Sequence, residues 1–342
     1  MNVIEKINSF QNLSPEYDGM LSNHLPMALY ALDQLGASHD EIEAFVSSYF
    51  KMHDIPLCSP TSVIDLQDEN WHSFLGTRRY YTDFRLFYLS RLKRLGRDQF
   101  ISRYFIPLIK GYASAAYHGL LRLSYGVLSG NDEEIAAGMA YMADSFLEMK
   151  GPLPKIAEDA LSLHSQLNLV SKKFEDGQIM LPELNGIIFE RMDQISSPNV
   201  FCNAKEVLSI QPYISLRDFS EAALNIYLTT DNFTALHMLT SCHAARIMMP
   251  YVADKTEMLR YVHQAFMAAY LSIGAPRITE FSANATNIDA ETVKKLSRNS
   301  HDDHCVKLAY SCVQESAAYD NPLYLYAAIE KNRRNEAGLC GG

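Results

Sequence analysis

The chain has 342 residues, 48% hydrophobic and 20% charged, with a formal net charge of −10. A chain this long can bury a substantial core without covalent staples. The acidic balance argues against nucleic acid as a partner, because phosphate binding needs a basic face. The basic runs Arg91-Leu92-Lys93-Arg94 and Lys331-Asn332-Arg333-Arg334 are read as solvated helix faces or ends.

Helical periodicity dominates the chain. Ser22-Asn23 offers an N-cap for a helix over Leu25 to Leu35, with Pro26 in its first turn and Gly36 closing it. A second helix fits Asp40 to Met52. The chain turns around Trp71 to Gly76, and a third helix runs from Tyr80 to Leu95. Tyr104 to Leu128 reads as one long apolar helix. Asn131 with Asp132-Glu133-Glu134 caps the next, to about Met149. Ile156 to Phe174 follows. The stretch 177–203, broken by Pro182, Gly186 and Pro198, is expected to be an irregular connection with one short helix or strand. Helices then fit Leu216 to Tyr227, Asn232 to Met249 and Asp254 to Ser272. A polar connection covers 277–289. Short helices from Glu291 to Arg298, from His301 or Asp302 to Ala317, and from Pro322 to Asn335 complete the reading. The fold class is therefore all-α with little or no β. One multi-helix domain over 1–342, or two fused helical halves, is the economical architecture.

The six cysteines form no C-x-x-C pair, which removes zinc ribbons and thioredoxin-like chemistry. Met1 to Phe10 carries charges without an apolar run, so no secretory leader is expected. No stretch of about twenty apolar residues is present to span a membrane. A reducing, cytoplasmic setting is the expectation. The dinucleotide glycine fingerprint, the phosphate-binding P-loop, the G-x-S-x-G nucleophile elbow and the H-E-x-x-H zinc motif are all missing.

Eleven histidines are left to explain. His39, His53, His72, His164 and His263 read as surface or otherwise satisfied residues. His24 opens an apolar helix. His118 has Ser114 and Ala115 one turn away, which leaves space beside its imidazole. His237 and His243 share one helix but lie six residues apart, about 120° on the helical wheel, so they do not readily serve one small site together. His237 has small neighbours, whereas His243 has Leu236, Leu239 and Ile247. His301, His304 and Lys307 follow at intervals of three, which places neighbours on one helical face. A buried lysine is costly as an ammonium. One outcome is reaction of the neutral amine with carbon dioxide to give a carbamate, an anionic oxygen ligand. Imidazole ligands suit zinc, copper, iron or nickel, so residue type alone does not choose the metal.

Ordered blocks of sequence resemble the questin oxidase-like family. They are Asn23-His24-Leu25-Pro26-Met27-Ala28-Leu29-Tyr30 with Leu35-Gly36-Ala37-Ser38, Trp71 with Leu75-Gly76, and Tyr117-His118-Gly119-Leu120-Leu121-Arg122-Leu123-Ser124-Tyr125. Leu236-His237-Met238-Leu239-Thr240 with His243-Ala244-Ala245-Arg246, and Asp302-Asp303-His304-Cys305-Val306-Lys307, complete the set. The resemblance implies oxidative chemistry on aromatic polyketides such as anthraquinones. It implies a mononuclear non-haem iron(II) held by histidines and a carboxylated lysine, with O2 as co-substrate. The ligand candidates carried over are His24, His118, His237 or His243, His304, and Lys307 as the carbamate. His301, Asp302 and Asp303 are placed behind them. Arg122 or Arg246 is the candidate holder of a substrate oxyanion. Tyr117, Tyr125, Met27 and Met238 are candidates for the wall of an aromatic pocket. Two other functions are compatible with these residues: a metal-dependent hydrolase using a carboxylated lysine, and a non-catalytic helical binder of a flat aromatic ligand. The sequence leaves the oligomeric state open.

Overall fold

The structure, a computed structural model, describes residues 2–196, 205–279, 281 and 288–338. Its first helix, α1 (Val3–Asn8), leads into a hairpin, β1 (Glu16–Tyr17) and β2 (Leu21–Ser22), and then α2 (Leu25–Gln34) and α3 (His39–Met52). Next come α4 (Tyr81–Leu95), α5 (Arg97–Leu108), α6 (His118–Ser129) and α7 (Asp132–Asp144). A parallel pair, β3 (Lys155–Ile156) and β4 (Ser209–Ile210), brackets α8 (Leu163–Glu175) and α9 (Ile188–Ile195). The chain continues with α10 (Leu216–Thr230), α11 (Phe233–Met248), α12 (Lys255–Ser272), α13 (Ala290–Ser297), α14 (Asp303–Tyr319) and α15 (Leu323–Glu336). The fold is predominantly helical, as the periodicity predicts, and among the described residues no helix is long and apolar enough to cross a membrane.

Local chemistry accounts for most helix starts. Ser38 caps α3 through a reciprocal pair of bonds with Glu41, at 3.3 and 2.6 Å. Asn232 caps α11 by accepting from Thr234 N at 2.8 Å. Asp302 caps α14 by accepting from His304 N and Cys305 N at 2.8 and 3.2 Å.

Two expectations need correction. The single long helix expected over Tyr104 to Leu128 is two helices. Between them Ala115, Ala116 and Tyr117 all take left-handed backbone, with φ of 47°, 52° and 73°. Such a run is costly for residues with a Cβ, and apolar periodicity carries no trace of it. The helix expected from Ile156 instead starts at Leu163, because residues 155–156 pair with β4 and Ser162 caps by accepting from Ser165 N at 3.3 Å. The expected irregular connection 177–203 does contain the short helix α9, and its residues 197–203 lie outside the described residues, as do 280 and 282–287 of the second connection.

α2, α6, α11 and α14 form a closed ring of neighbours: α2 packs on α6 and α14, and α11 packs on the same two. These four helices surround the chain's buried core, in which Leu25, Leu29, Leu120, Met238, Val306 and Leu308 are essentially inaccessible to solvent. Each fully buried Leu or Met contributes roughly 1.5–3 kcal/mol. Glycines let α7 close on α6. A Cβ on Gly126 would lie 2.6 Å from Ile135 N, and one on Gly138 would collide with the Leu123 backbone. The four central helices run in the same sense. His24 and His118, near the starts of α2 and α6, stack at 4.6 Å, while Tyr30 and Tyr125 meet at 5.9 Å farther along the same helices. His237 and His304 on α11 and α14 repeat the relation with His243 and Tyr310.

Candidate metal centre

Because the four central helices run in one sense, their N-terminal ends converge. His24 is the N-cap of α2, His118 the first residue of α6, His237 lies in the first turns of α11, and His304 is the second residue of α14. Ring centroids separate by 4.6 Å for His24 and His118, 4.6 Å for His24 and His304, 5.0 Å for His118 and His237, and 5.4 Å for His237 and His304. One ligand-capable nitrogen from each of His24, His118 and His304 falls within 4.8 Å of the others. Helix N-termini carry partial positive charge, so this end of the ring favours anions and neutral imidazoles.

Each imidazole is tethered through its Nδ1. Asp303 Oδ1 lies 2.8 Å from Nδ1 of both His24 and His304. His118 Nδ1 donates to Ala115 O at 2.6 Å, and His237 Nδ1 to Phe233 O at 2.8 Å. The left-handed run at 115–117 turns the Ala115 carbonyl back onto the His118 ring, so backbone strain is spent at the site. With Nδ1 occupied, Nε2 is the atom left for a ligand. Nε2 of His24, His118 and His304 is buried and meets no protein partner. A histidine tethered at one nitrogen and bare at the other is the usual arrangement of a metal ligand. The donor set fits a borderline metal ion.

Burial fixes the protonation states. It lowers the His24 imidazole to about 3, against an opposing pull from Asp303. It likewise pushes His118 and His237 well below the usual histidine range, reinforced by neighbouring imidazoles. Burial alone would raise the Asp303 carboxyl, but His24, His304 and Lys307 together hold it well below the usual range. The Lys307 Nζ is buried, 3.8 Å from Asp303 Oδ1, and desolvation brings its ammonium down to about 8. A neutral amine is thus within reach near neutral pH, and only that form attacks carbon dioxide.

The remaining candidates lie elsewhere. His243 is fully buried but turns to Glu315, with Nδ1 2.7 Å from Oε1, and its ring packs on Tyr310. The structure therefore puts His237, and not His243, beside the other imidazoles. Arg122 grips Glu134 through two bonds of 2.9 Å, and Arg246 grips Glu315 at 2.8 Å, so each guanidinium expected to hold a substrate oxyanion is engaged by a carboxylate. Tyr117, expected at the site, donates to Ala265 O at 3.1 Å, and Met27, Tyr125 and Met238 are core residues. His301 is exposed, and Asp302 serves as the helix cap. His263, read as a surface or satisfied residue, is buried and bonds Gln166 Oε1 at 2.8 Å.

Two residues gained weight. Asp303, placed behind the ligands by the resemblance, is the hub of the cluster, and its i,i+4 spacing to Lys307 is the local signal that joins the two. The Phe233 ring lies 4.6 Å from His237 and 4.7 Å from His304, and no pattern marked it.

A family model described as questin oxidase-like matches residues 21–193 and 216–312, and so spans every residue of the cluster. The chain belongs to the questin oxidase-like family. No curated protein matches it closely enough to count as a relative. Membership in the questin oxidase-like family points to an enzyme of the oxidase or oxygenase kind acting on a small polyketide-type molecule. Three of the four central helices, the first ten residues of α14 and the clustered imidazoles at the helix ends fall within the matched segments.

Proposed function

We propose that the protein is a mononuclear non-haem iron oxygenase acting with O2 on a hydroxylated aromatic or quinone-like molecule. The observation that carries the reading is the set of imidazoles of His24, His118, His237 and His304, each tethered through Nδ1 at the common end of four helices. Those four residues would hold the metal, with Lys307 supplying a fifth ligand as its carbamate. Formation of the carbamate joins the neutral Lys307 amine to carbon dioxide and releases one proton to water, leaving one negative charge. Iron(II) in such a site supplies electron donation to dioxygen and an acceptor position for a phenolate oxygen.

The protein's own residues account for the rest. Asp303 keeps the rings of His24 and His304 oriented with their Nε2 atoms presented. Burial keeps the imidazoles of His24, His118 and His237 neutral, as ligands must be. Phe233, partly exposed against His237 and His304, offers an apolar face on which a flat ring can pack.

Metal analysis after anaerobic loading tests the reading, together with oxygen uptake on hydroxyanthraquinones. About one equivalent of iron per chain, lost in His118→Ala and His237→Ala and reduced in Lys307→Ala, is expected. Less than about a tenth of an equivalent of any transition metal would sink it. Two equivalents of zinc without oxygen uptake would instead indicate a hydrolase with a carboxylated lysine.

A further inference from the structure

The imidazole cluster is closed off from solvent. His24, His118 and His237 are 6%, 6% and 2% exposed, and the Nε2 atoms of His24, His118 and His304 are buried. Neither a metal ion nor a flat substrate reaches them unless some segment moves. The hairpin β1–β2 leads directly into this end of the ring. Pro15 O accepts from Asn23 N at 2.8 Å, and Ser14 O accepts from Asn23 Nδ2 at 3.0 Å. Both legs of the hairpin therefore close at Asn23, the residue before His24. The Tyr49 hydroxyl ties that base down, donating to Asn23 Oδ1 at 3.3 Å and accepting from His24 N at 2.9 Å. Burial, and then the charge of Asp303, push the Tyr17 phenol of β1 up to about 12. The hairpin thus lies near the carboxylate that orients His24 and His304.

The hairpin itself is weakly held. No residue from Glu16 to Leu21 is fully buried. Its ladder is two residue pairs, Glu16 with Ser22 and Tyr17 with Leu21. A two-stranded hairpin with so little apolar contact is marginal in water by itself. At its tip, Asp18, Gly19 and Met20 have φ of 40°, 73° and 83°, which costs energy at the two residues with a Cβ. Its fastenings are polar side chains. The Tyr141 hydroxyl, on α7, lies 2.6 Å from Ser22 Oγ on one strand and donates to Glu16 Oε1 on the other at 3.1 Å. Glu16 also pairs with Arg78, whose guanidinium lies 4.2 Å over the Phe189 ring. Tyr17 Oη is 3.0 Å from His53 Nδ1. Such bonds exchange for bonds to water at small net cost, so the hairpin belongs to the low end of the local stability range.

We infer that the hairpin β1–β2 is the gate of the metal centre, hinged at Pro15 and Asn23 and latched on Tyr141, and that it swings out to admit the metal ion and a flat aromatic substrate. The substrate part rests on the oxygenase reading; the gate needs only that the imidazoles bind a metal. The approaches over the other three helices are firmer. The turn into α6 is made of Ala115, Ala116 and Tyr117, all buried. Only Asp231 and Asn232 join α10 to α11, and Asn232 is fixed as the cap. Asp302, before α14, is held by its capping bonds and by Lys331 at 3.3 Å. Opening the hairpin breaks a short ladder and a few side-chain bonds, and it leaves the four helices and the Nδ1 tethers in place.

Two measurements on the full chain test this, comparing the wild type with Tyr141→Phe and Glu16→Gln. The first is amide hydrogen exchange. In the wild type the ladder amides of the hairpin are expected to exchange faster than those of α2 and α6. Tyr141→Phe, which removes the hydroxyl shared by both strands, is expected to speed residues 16–22 about tenfold further, with α2, α6 and α7 unchanged. Equal protection of hairpin and helices in the wild type overturns the gate. Faster exchange spread through α2 and α7 makes Tyr141 a core support and overturns it too. The second is the rate at which 2,2′-bipyridyl strips iron, or EDTA strips zinc, from the loaded protein. Both variants are expected to lose metal about tenfold faster at unchanged stoichiometry and equilibrium affinity, because entry and exit scale alike with the open population. An unchanged rate overturns the gate. A wild type that binds no metal defeats the metal-centre reading and the gate with it. Faster metal exchange without oxygen uptake on any hydroxyanthraquinone keeps the gate and defeats the oxygenase reading alone.

Discussion

His24 and Asp303 stand 279 residues apart in the chain, yet His24 Nδ1 and Asp303 Oδ1 lie 2.8 Å apart in the folded protein. The same Asp303 oxygen holds His304, and Lys307 sits one turn farther along α14. One carboxylate thus orients two candidate ligands and lies beside a third.

Asp303→Asn keeps the size of that side chain but removes its charge. Metal affinity is expected to fall roughly 10–100-fold, as for other residues that orient metal ligands. Chelator competition on purified protein measures it. Unchanged affinity would show that the tether has no bearing on metal binding.

The two histidines of α11 separate cleanly by experiment. His237→Ala is expected to abolish stoichiometric metal binding with a modest effect on folding. His243→Ala is expected to retain metal stoichiometry but to destabilise the fold by roughly 2–4 kcal/mol, because it strips a buried partner from Glu315. Metal analysis and urea unfolding on both variants check this. The opposite pattern would exchange their roles.

Gly138→Ala tests the α6–α7 contact that stabilises the helix bearing His118. Its new Cβ would run into the Leu123 backbone, which cannot swing aside as a flexible side chain would. A loss of about 1–3 kcal/mol is expected, read as a lower Tm. A neutral result would mean that the two helices separate at no cost.

His263 gives a pH signature away from the metal site. Burial holds its imidazole at about 3, far below the usual histidine value. Between that value and about 6.5 the unfolded chain binds the proton more readily, so this residue makes stability fall as pH drops. Relative to His263→Gln, the wild type is expected to lose about 2 kcal/mol between about pH 7 and pH 5, at roughly 1.4 kcal/mol per pH unit. Urea midpoints at the two pH values measure it. A pH-independent difference would mean that His263 protonates inside the fold without penalty.

The amino-acid pattern by itself determined the helical character, most helix ends, and the clustering of chemistry at His24, His118 and the 301–307 segment. Those features are local: caps act within three residues, and helical period places His304 and Lys307 on one side of α14. The same local rules showed that His237 and His243 point about 120° apart, and so that one small site would not readily take both. Tertiary structure decided which one joins the other imidazoles, because that depends on how α11 crosses α6 and α14. It also broke the expected helix at residues 115–117, where packing overrides local preference to aim the Ala115 carbonyl at His118. Arg122, Arg246 and Tyr117 looked available because their partners, Glu134, Glu315 and the Ala265 carbonyl, lie 12, 69 and 148 residues away. Asp303 became the hub for the same reason: two of the groups it joins come together only when the first residues of α2 and α14 meet across the bundle.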